Sequence, residues 1–300
     1  MLLSGSDLRL LRVFDAVVRN GGFAAAEVEL NLSQSTISNH MSALEQRLGV
    51  TLCQRGRKGF RLTAQGRAVY EAARRLDKAV HDFSADIGSV RGELSGELRI
   101  GVLDAIAEDR ENHLPKAIGL FRKTAANVRL TIAQERAQEL QQRVRDGVYH
   151  CGIGVKLNRV DGLDELPLYE EHHGLYCGRG HPLFDVPDDA VTKELVGSFP
   201  FVQRGYWRDE EARRHALGPV AATVYQIEPQ LMLLKSGEFT GFLPRHYAER
   251  WVAAGDLRHL APTLFGYRST FCLFTAKGAR KTDVVTAFVE AAKAVWAVRN

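Results

Sequence analysis

The stretch from Leu30 to Val50, LNLSQSTISNHMSALEQRLGV, admits few structures. Ile37, Met41, Leu44 and Leu48 are spaced by 4, 3 and 4, so a helix places all four on one side. Ser33 suits its N-cap, and Gly49 suits the residue just past its end. The other side carries Gln34, Ser35, Thr36, Ser38 and Asn39, a run of short, uncharged hydrogen-bonding side chains.

The neighbours narrow the reading. Leu8, Leu11, Phe14 and Val18 form an earlier apolar stripe, broken by Gly21-Gly22, and FAAAEVEL reads as a short second helix. Two helices joined by a tight turn, the second of them polar, make a helix-turn-helix whose second helix enters a DNA major groove. Gln and Asn can bond adenine bidentately there, and Ser and Thr can bond several base edges. Next come two short strands, around Thr51-Leu52 and Phe60 to Leu62, flanking a basic turn. Arg55, Arg57, Lys58 and Arg61 are placed like a wing that grips phosphates. A solvated polar helix face and a solvated charge run would each look similar alone; the combination carries the inference.

A long helix is expected from Thr63 to about Val90. Val69, Ala73, Leu76, Val80, Phe83, Ile87 and Val90 alternate spacings of 4 and 3, a heptad seam that calls for a partner. A second copy of the chain is the expected one, with packing along its own chain as the alternative. RGELSG then reads as a hinge. From about Glu97 strands and helices alternate, which predicts a mostly parallel α/β sheet. Ligands in such sheets bind beyond the carboxyl ends of the strands.

At 300 residues more than one domain is expected, and 45% hydrophobic with 25% charged residues is ordinary for a globular chain. The net charge of +4 permits a nucleic-acid partner without requiring one. The N-terminus lacks a secretory pattern and no apolar run is long enough for a membrane span, so a cytoplasmic location and no membrane partner are expected. Cys53, Cys151, Cys177 and Cys272 are scattered, as buried thiols in a reducing compartment would be. No cofactor, metal site or catalytic constellation is expected. His172 and His173 face opposite sides of a strand, and GIG at Gly152 lacks the third glycine of a dinucleotide fingerprint.

The order of parts resembles the LysR-type transcriptional regulators. GGFAAAEVELNLSQSTISNHMSALEQRLGVTLCQRGRKGFRLTAQG resembles their N-terminal signature, LPLYEEHHGLYCGRGHPL the entry into a second lobe, and LKSGEFTGFLP a helix-to-strand turn of that lobe. The resemblance spans essentially the whole chain. It implies a winged helix-turn-helix over 1–62, a linker and dimerisation helix over 63–92, and an effector domain over 93–300. That domain would have two lobes, 94–162 with 268–300 and 163–267, arranged like a periplasmic binding protein. The implied partners are a DNA operator, a small-molecule effector, further copies of the chain as a dimer and tetramer, and RNA polymerase. By the same resemblance Gln34, Ser35, Ser38 and Asn39 contact bases. Many relatives carry Pro at the position of Ser35 and Arg at that of Asn39, so the base preference read by Asn39 is expected to shift from guanine to adenine.

The resemblance places the effector between the lobes, near Asp104, Ala105, Gln134, Glu135, Gln203 and Arg204. Relatives often have Ser or Thr where Asp104 stands. Asp104 either faces the ligand or caps a helix, and Arg204 either pairs with a ligand carboxylate or lies on the surface. Asp104, Glu135 and Arg204 acting together would suit a zwitterion. A redox-sensing regulator using Cys151 and Cys177 remains an alternative, as do a solute-binding protein and an enzyme.

Overall fold

The computed structural model describes residues 4–54, 60–90, 94–157, 160–206, 210–278 and 282–297. These fall into two compact units, 1–84 and 85–300, described separately below.

In the first unit α1 (Gly5–Arg19), α2 (Phe23–Leu30) and α3 (Gln34–Leu48) precede β1 (Cys53–Gln54), β2 (Arg61–Leu62) and α4 (Ala64–Val90), whose residues from 85 on are counted with the second unit. The termini of α3 follow from its sequence. The Ser33 hydroxyl accepts a hydrogen bond from the Thr36 N–H, and Gly49 closes the helix in the left-handed region at φ 68°. Ile37, Met41 and Leu44 are fully buried with Phe14, Val17 and Leu52. Val69 and Tyr70 pack against this cluster, and Ala73 is buried. The first turns of α4 therefore belong to the head's own core. Gly66 permits that packing, since a Cβ on it would lie 1.8 Å from the Leu52 carbonyl oxygen.

The second unit is built on one nine-stranded sheet. Its strands are β3 (Ser95–Val102), β4 (Asn127–Gln134), β5 (Cys151–Val155), β6 (Leu163–Gly178), β7 (Phe201–Arg204), β8 (Val220–Val224), β9 (Thr240–Pro244), β10 (Leu257–His259) and β11 (Tyr267–Ala276). Its helices are α5 (Leu114–Thr124), α6 (Ala137–Arg145), α7 (Lys193–Gly197), α8 (Glu210–His215), α9 (Ile227–Lys235), α10 (Arg245–Ala253) and α11 (Asp283–Ala297). The strand order is β4-β3-β5-β11-β6-β9-β7-β8, with β10 added to β6.

The sheet is mixed rather than mostly parallel. β3, β4 and β5 pair in parallel, as do β7, β8 and β9. Between these groups the long strands β6 and β11 run antiparallel to each other from Leu163↔Ala276 to His173↔Tyr267. β6 then continues beside β9. The chain thus crosses between two lobes twice without leaving the sheet, and these crossings supply the antiparallel pairs. One core packs α5, α6 and α11 on the first lobe, and two smaller cores flank the sheet of the second. Gly101, Gly152 and Gly154 let α6 sit close, because a Cβ on any of them would come within 3.0 Å of the Leu140 side chain. The GIG motif is therefore a packing surface.

Candidate functional site

Two places gather chemistry that the core does not use. The first is the outer face of α3. Gln34, Ser35 and Asn39 are exposed there, while Thr36 and Ser38 are half-buried. Thr36 takes part in the cap, its hydroxyl lying 2.9 Å from that of Ser33. Glu27 of α2 accepts from the Gln34 N–H, which fixes the start of α3 against its partner helix. Arg61 is exposed on β2. Arg55, Arg57 and Lys58 lie outside the described residues. Along α4, Leu76 and Val80 are half-buried and Phe83 is 64% exposed, whereas the Ile87 side chain is outside the described set.

The second place is a cavity between the lobes. The first lobe contributes Leu103 and Asp104, the crossing strands Glu171, His173 and Ser269, and the second lobe Arg204, Tyr206, Tyr225 and Ile227. The walls are held together by direct contacts. Asp104 accepts a hydrogen bond from the Ile227 N–H, the first of α9. Gln138 donates to the Gly205 carbonyl at 3.2 Å, Arg136 lies over the Tyr225 ring, and Arg250 pairs with Glu108 at 2.9 Å.

Arg204 is only 6% exposed. Its Nε donates to Gln230 at 2.8 Å and its Nη1 reaches the Tyr206 hydroxyl at 3.4 Å, but its Nη2 has no hydrogen-bond partner among the described residues. Burial works against its charge, yet the Tyr206 and Tyr267 phenols and the Asp104 and Glu171 carboxylates hold its pKa above the ordinary value. Glu171 is buried beside it. Burial raises the Glu171 pKa, opposed by the hydrogen bond from His246 and the charge of Arg204. His246 Nε2 lies 3.0 Å from Glu171 and 3.7 Å from Asp109, so one imidazole bridges two carboxylates. The ligand atoms of Asp109, Glu171 and His246 fall within 4.8 Å of one another, close enough to hold a divalent cation. His173 lies 3.2 Å from the other Glu171 oxygen, and burial with the nearby charges of Arg204 and His246 keeps it neutral.

Of the residues expected near an effector, Asp104 and Arg204 line the cavity together. Ala105, at φ 57°, follows Asp104 and packs against a core cluster of the second lobe. Glu135 is turned away from the cavity: it accepts from the Tyr149 hydroxyl and pairs with Arg143 at 3.0 Å, all within the first lobe. Gln134 is exposed at the end of β4, and Gln203 is buried; neither lines the cavity. Glu171 and His173 were missed as lining residues. Alternation along β6 would have found them, since His172 is exposed and its two neighbours are buried. The four cysteines are all buried thiols, and burial pushes the Cys177 thiol up to about 12.

Residues 8–67 match the family model described as the bacterial regulatory helix-turn-helix protein, lysR family, and residues 91–297 match the LysR substrate binding domain. The chain belongs to the LysR family. It is 40% identical to the HTH-type transcriptional activator BauR of Pseudomonas aeruginosa over 96% of this chain and 95% of that one. It is 31% identical to the SDS degradation transcriptional activation protein of a Pseudomonas species, over 91% of each. Full-length CbnR bound to its target DNA shares the fold, with a TM-score of 0.65 at 22% identity, covering 96% of this chain and 99% of CbnR. The protein is thus a DNA-binding transcription regulator of the LysR type, with an effector-binding domain behind its helix-turn-helix. Among the described residues no helix is long and apolar enough to cross a membrane.

Proposed function

We propose that this regulator reads its operator with α3 and takes its effector in the cavity between the lobes. Gln34, Ser35, Thr36, Ser38 and Asn39 present hydrogen-bonding groups to base edges, and Arg55, Arg57, Lys58 and Arg61 grip the phosphates on either side. The division of labour runs 1–62 for DNA, 63–92 for dimerisation and 93–300 for the effector. Two copies join along α4 through Leu76, Val80, Phe83 and Ile87, with Val69 and Ala73 shared with the head's core. Two dimers then form a tetramer, and RNA polymerase is the partner the DNA-bound assembly acts on. No catalytic role is assigned, and the chain works in the cytoplasm.

The observation that carries the effector reading is the buried Arg204 guanidinium, which lines the cavity and whose Nη2 has no hydrogen-bond partner among the described residues. A buried donor left unsatisfied is costly, and a ligand that bonds it recovers that cost. Selection of binding sites from a random duplex pool by the full-length protein tests the DNA half. A site of two related half-sites, symmetric about its centre, is expected. A pool that shows no sequence enrichment overturns it.

A further inference from the structure

The structure shows what occupies the anion-binding end of the cavity. Helix α9 begins there, and its N-cap residue Gln226 contributes no side-chain cap. The cap comes from Asp104, on the opposite lobe and 123 residues earlier in the chain. A helix N-terminus favours negative charge, through its free N–H groups and its dipole. Arg204, more than nine-tenths buried, lines the same cavity, and its Nη2 has no hydrogen-bond partner among the described residues. Two independent features therefore suit one anion, and the carboxylate now on α9 belongs to the protein. Asp104 sits next to Ala105, whose left-handed backbone and contact with the second lobe's core press the turn against that lobe. The remaining wall is acidic or neutral: Glu171 is buried there beside a neutral His173, with the Ser269 side of β11 next to them.

We propose that Asp104 is an internal stand-in for the effector's carboxylate, and that the effector is a small amino acid. Its carboxylate replaces Asp104 on the α9 N-terminus and bonds Arg204. Its ammonium is held by Glu171 and by the released Asp104. This deepens the cleft reading above and rests on it. A plain organic acid displaces Asp104 but brings no ammonium for Asp104 and Glu171, so it adds a negative charge to a site that already holds two carboxylates. A plain amine finds the acids but leaves α9 and Arg204 to Asp104 as before. Only a molecule with both groups makes the exchange balanced in charge. The exchange also cuts the Asp104–Ile227 bond between the lobes, so binding alters how the lobes are held, which is the difference between states that a ligand needs in order to shift them.

The test uses the full-length protein, with thermal melting and calorimetric titration. The probes are unbranched amino acids from glycine to 5-aminopentanoate, each beside the acid lacking the amine and the amine lacking the acid. At least one amino acid should raise the melting temperature where neither of its halves does. Asp104→Asn keeps an acceptor for the Ile227 N–H but removes the charge. It should bind the plain acid better, and the preference for amino acid over acid should fall roughly tenfold. Glu171→Gln should reduce amino-acid binding and spare the plain acid, and Arg204→Lys should weaken both. If Asp104→Asn changes neither affinity nor preference, Asp104 is only a cap and the exchange is wrong. If a plain acid or amine binds as tightly as any amino acid, with binding lost in Arg204→Lys, the cleft reading survives and the amino-acid assignment falls. Binding indifferent to both Arg204→Lys and Glu171→Gln would place the ligand elsewhere and overturn both readings. No stabilisation by any amino acid in the series overturns the assignment outright.

Discussion

The Glu45 carboxylate on α3 accepts hydrogen bonds from the backbone N–H groups of Leu52, at 2.6 Å, and Cys53, at 3.4 Å. Leu52 is fully buried, so its N–H has no water to turn to. The proposed reading helix and the first wing strand are thus held together by one side chain. Glu45→Ala should destabilise the head by about 1.5–3 kcal/mol, the range for a lost bond to a charged acceptor. Glu45→Gln should recover part of that. Hydrogen exchange followed by mass spectrometry on the whole protein reads the result at Leu52 and Cys53. Unchanged protection of those amides in Glu45→Ala would show that the wing is held by packing alone.

Asn39 and Arg61 should behave as different kinds of contact. Both are exposed, on α3 and β2. Asn39→Ala should cost about 1–3 kcal/mol on the selected operator and relax preference at one base pair. Arg61→Ala should weaken operator and random duplex alike and lower the slope of log affinity against log salt by about 1. Anisotropy titrations on both duplexes over a salt series separate them. An equal loss on both duplexes for Asn39→Ala would take it out of the base-reading set.

Among the described side chains of α4, Phe83 is the large apolar one left most open, 64% exposed, with Leu76 half-buried two turns before it. An interior α4 seam explains Val69 and Ala73 but leaves Phe83 in water. Placing Glu at both Leu76 and Phe83 should break the dimer, because carboxylates buried in a seam without partners cost several kcal/mol. Light scattering on the double variant should give half the wild-type mass or less. A wild-type mass would mean that copies join through another surface.

The parts legible in the sequence are those whose causes are local. Ser33 and Gly49 bound α3 because a cap and a left-handed glycine are local requirements, and the spacing of Ile37, Met41 and Leu44 reports the face that the head buries. The alternation of strands and helices reports the layered receptor. β6 was not legible as one strand. Its middle carries Glu170, Glu171, His172 and His173, alternately exposed and buried, a charged run that strand patterns rarely include, before the wholly buried stretch from His173 to Gly178. Asp104 and Arg204 line one cavity, but sequence could not show that Asp104 caps α9, since the partner N–H comes from Ile227, 123 residues away. The same limit hid the partners of Glu135, Arg143 on a later helix and Tyr149 on a loop.

Glu211 is buried within the field of Arg204 and accepts from the Tyr267 hydroxyl at 2.9 Å, while its Oε2 has no hydrogen-bond partner among the described residues. Burial pushes its pKa up to about 7, against the opposing hydrogen bond from Tyr267 and the charge of Arg204. A folded pKa raised above the unfolded value means that the stabilising contribution is complete below the unfolded value of 4.5 and is lost as pH rises through about 7. Above that, folding must bury a carboxylate, at a cost of about 3 kcal/mol for a shift of this size. Glu211→Gln keeps the shape and never ionises. It should match the wild type near pH 5 and be the more stable protein at pH 8. His173, His181, His215 and His259 have lowered values and lose stability in the other direction, as pH falls below 6.5, so the raw pH profile mixes the two. Those four are present in both proteins, and the difference between their melting curves isolates Glu211. A difference that does not change between pH 5 and 8 would mean that Glu211 stays in one protonation state across the range and that Arg204 is strong enough to keep it ionised throughout.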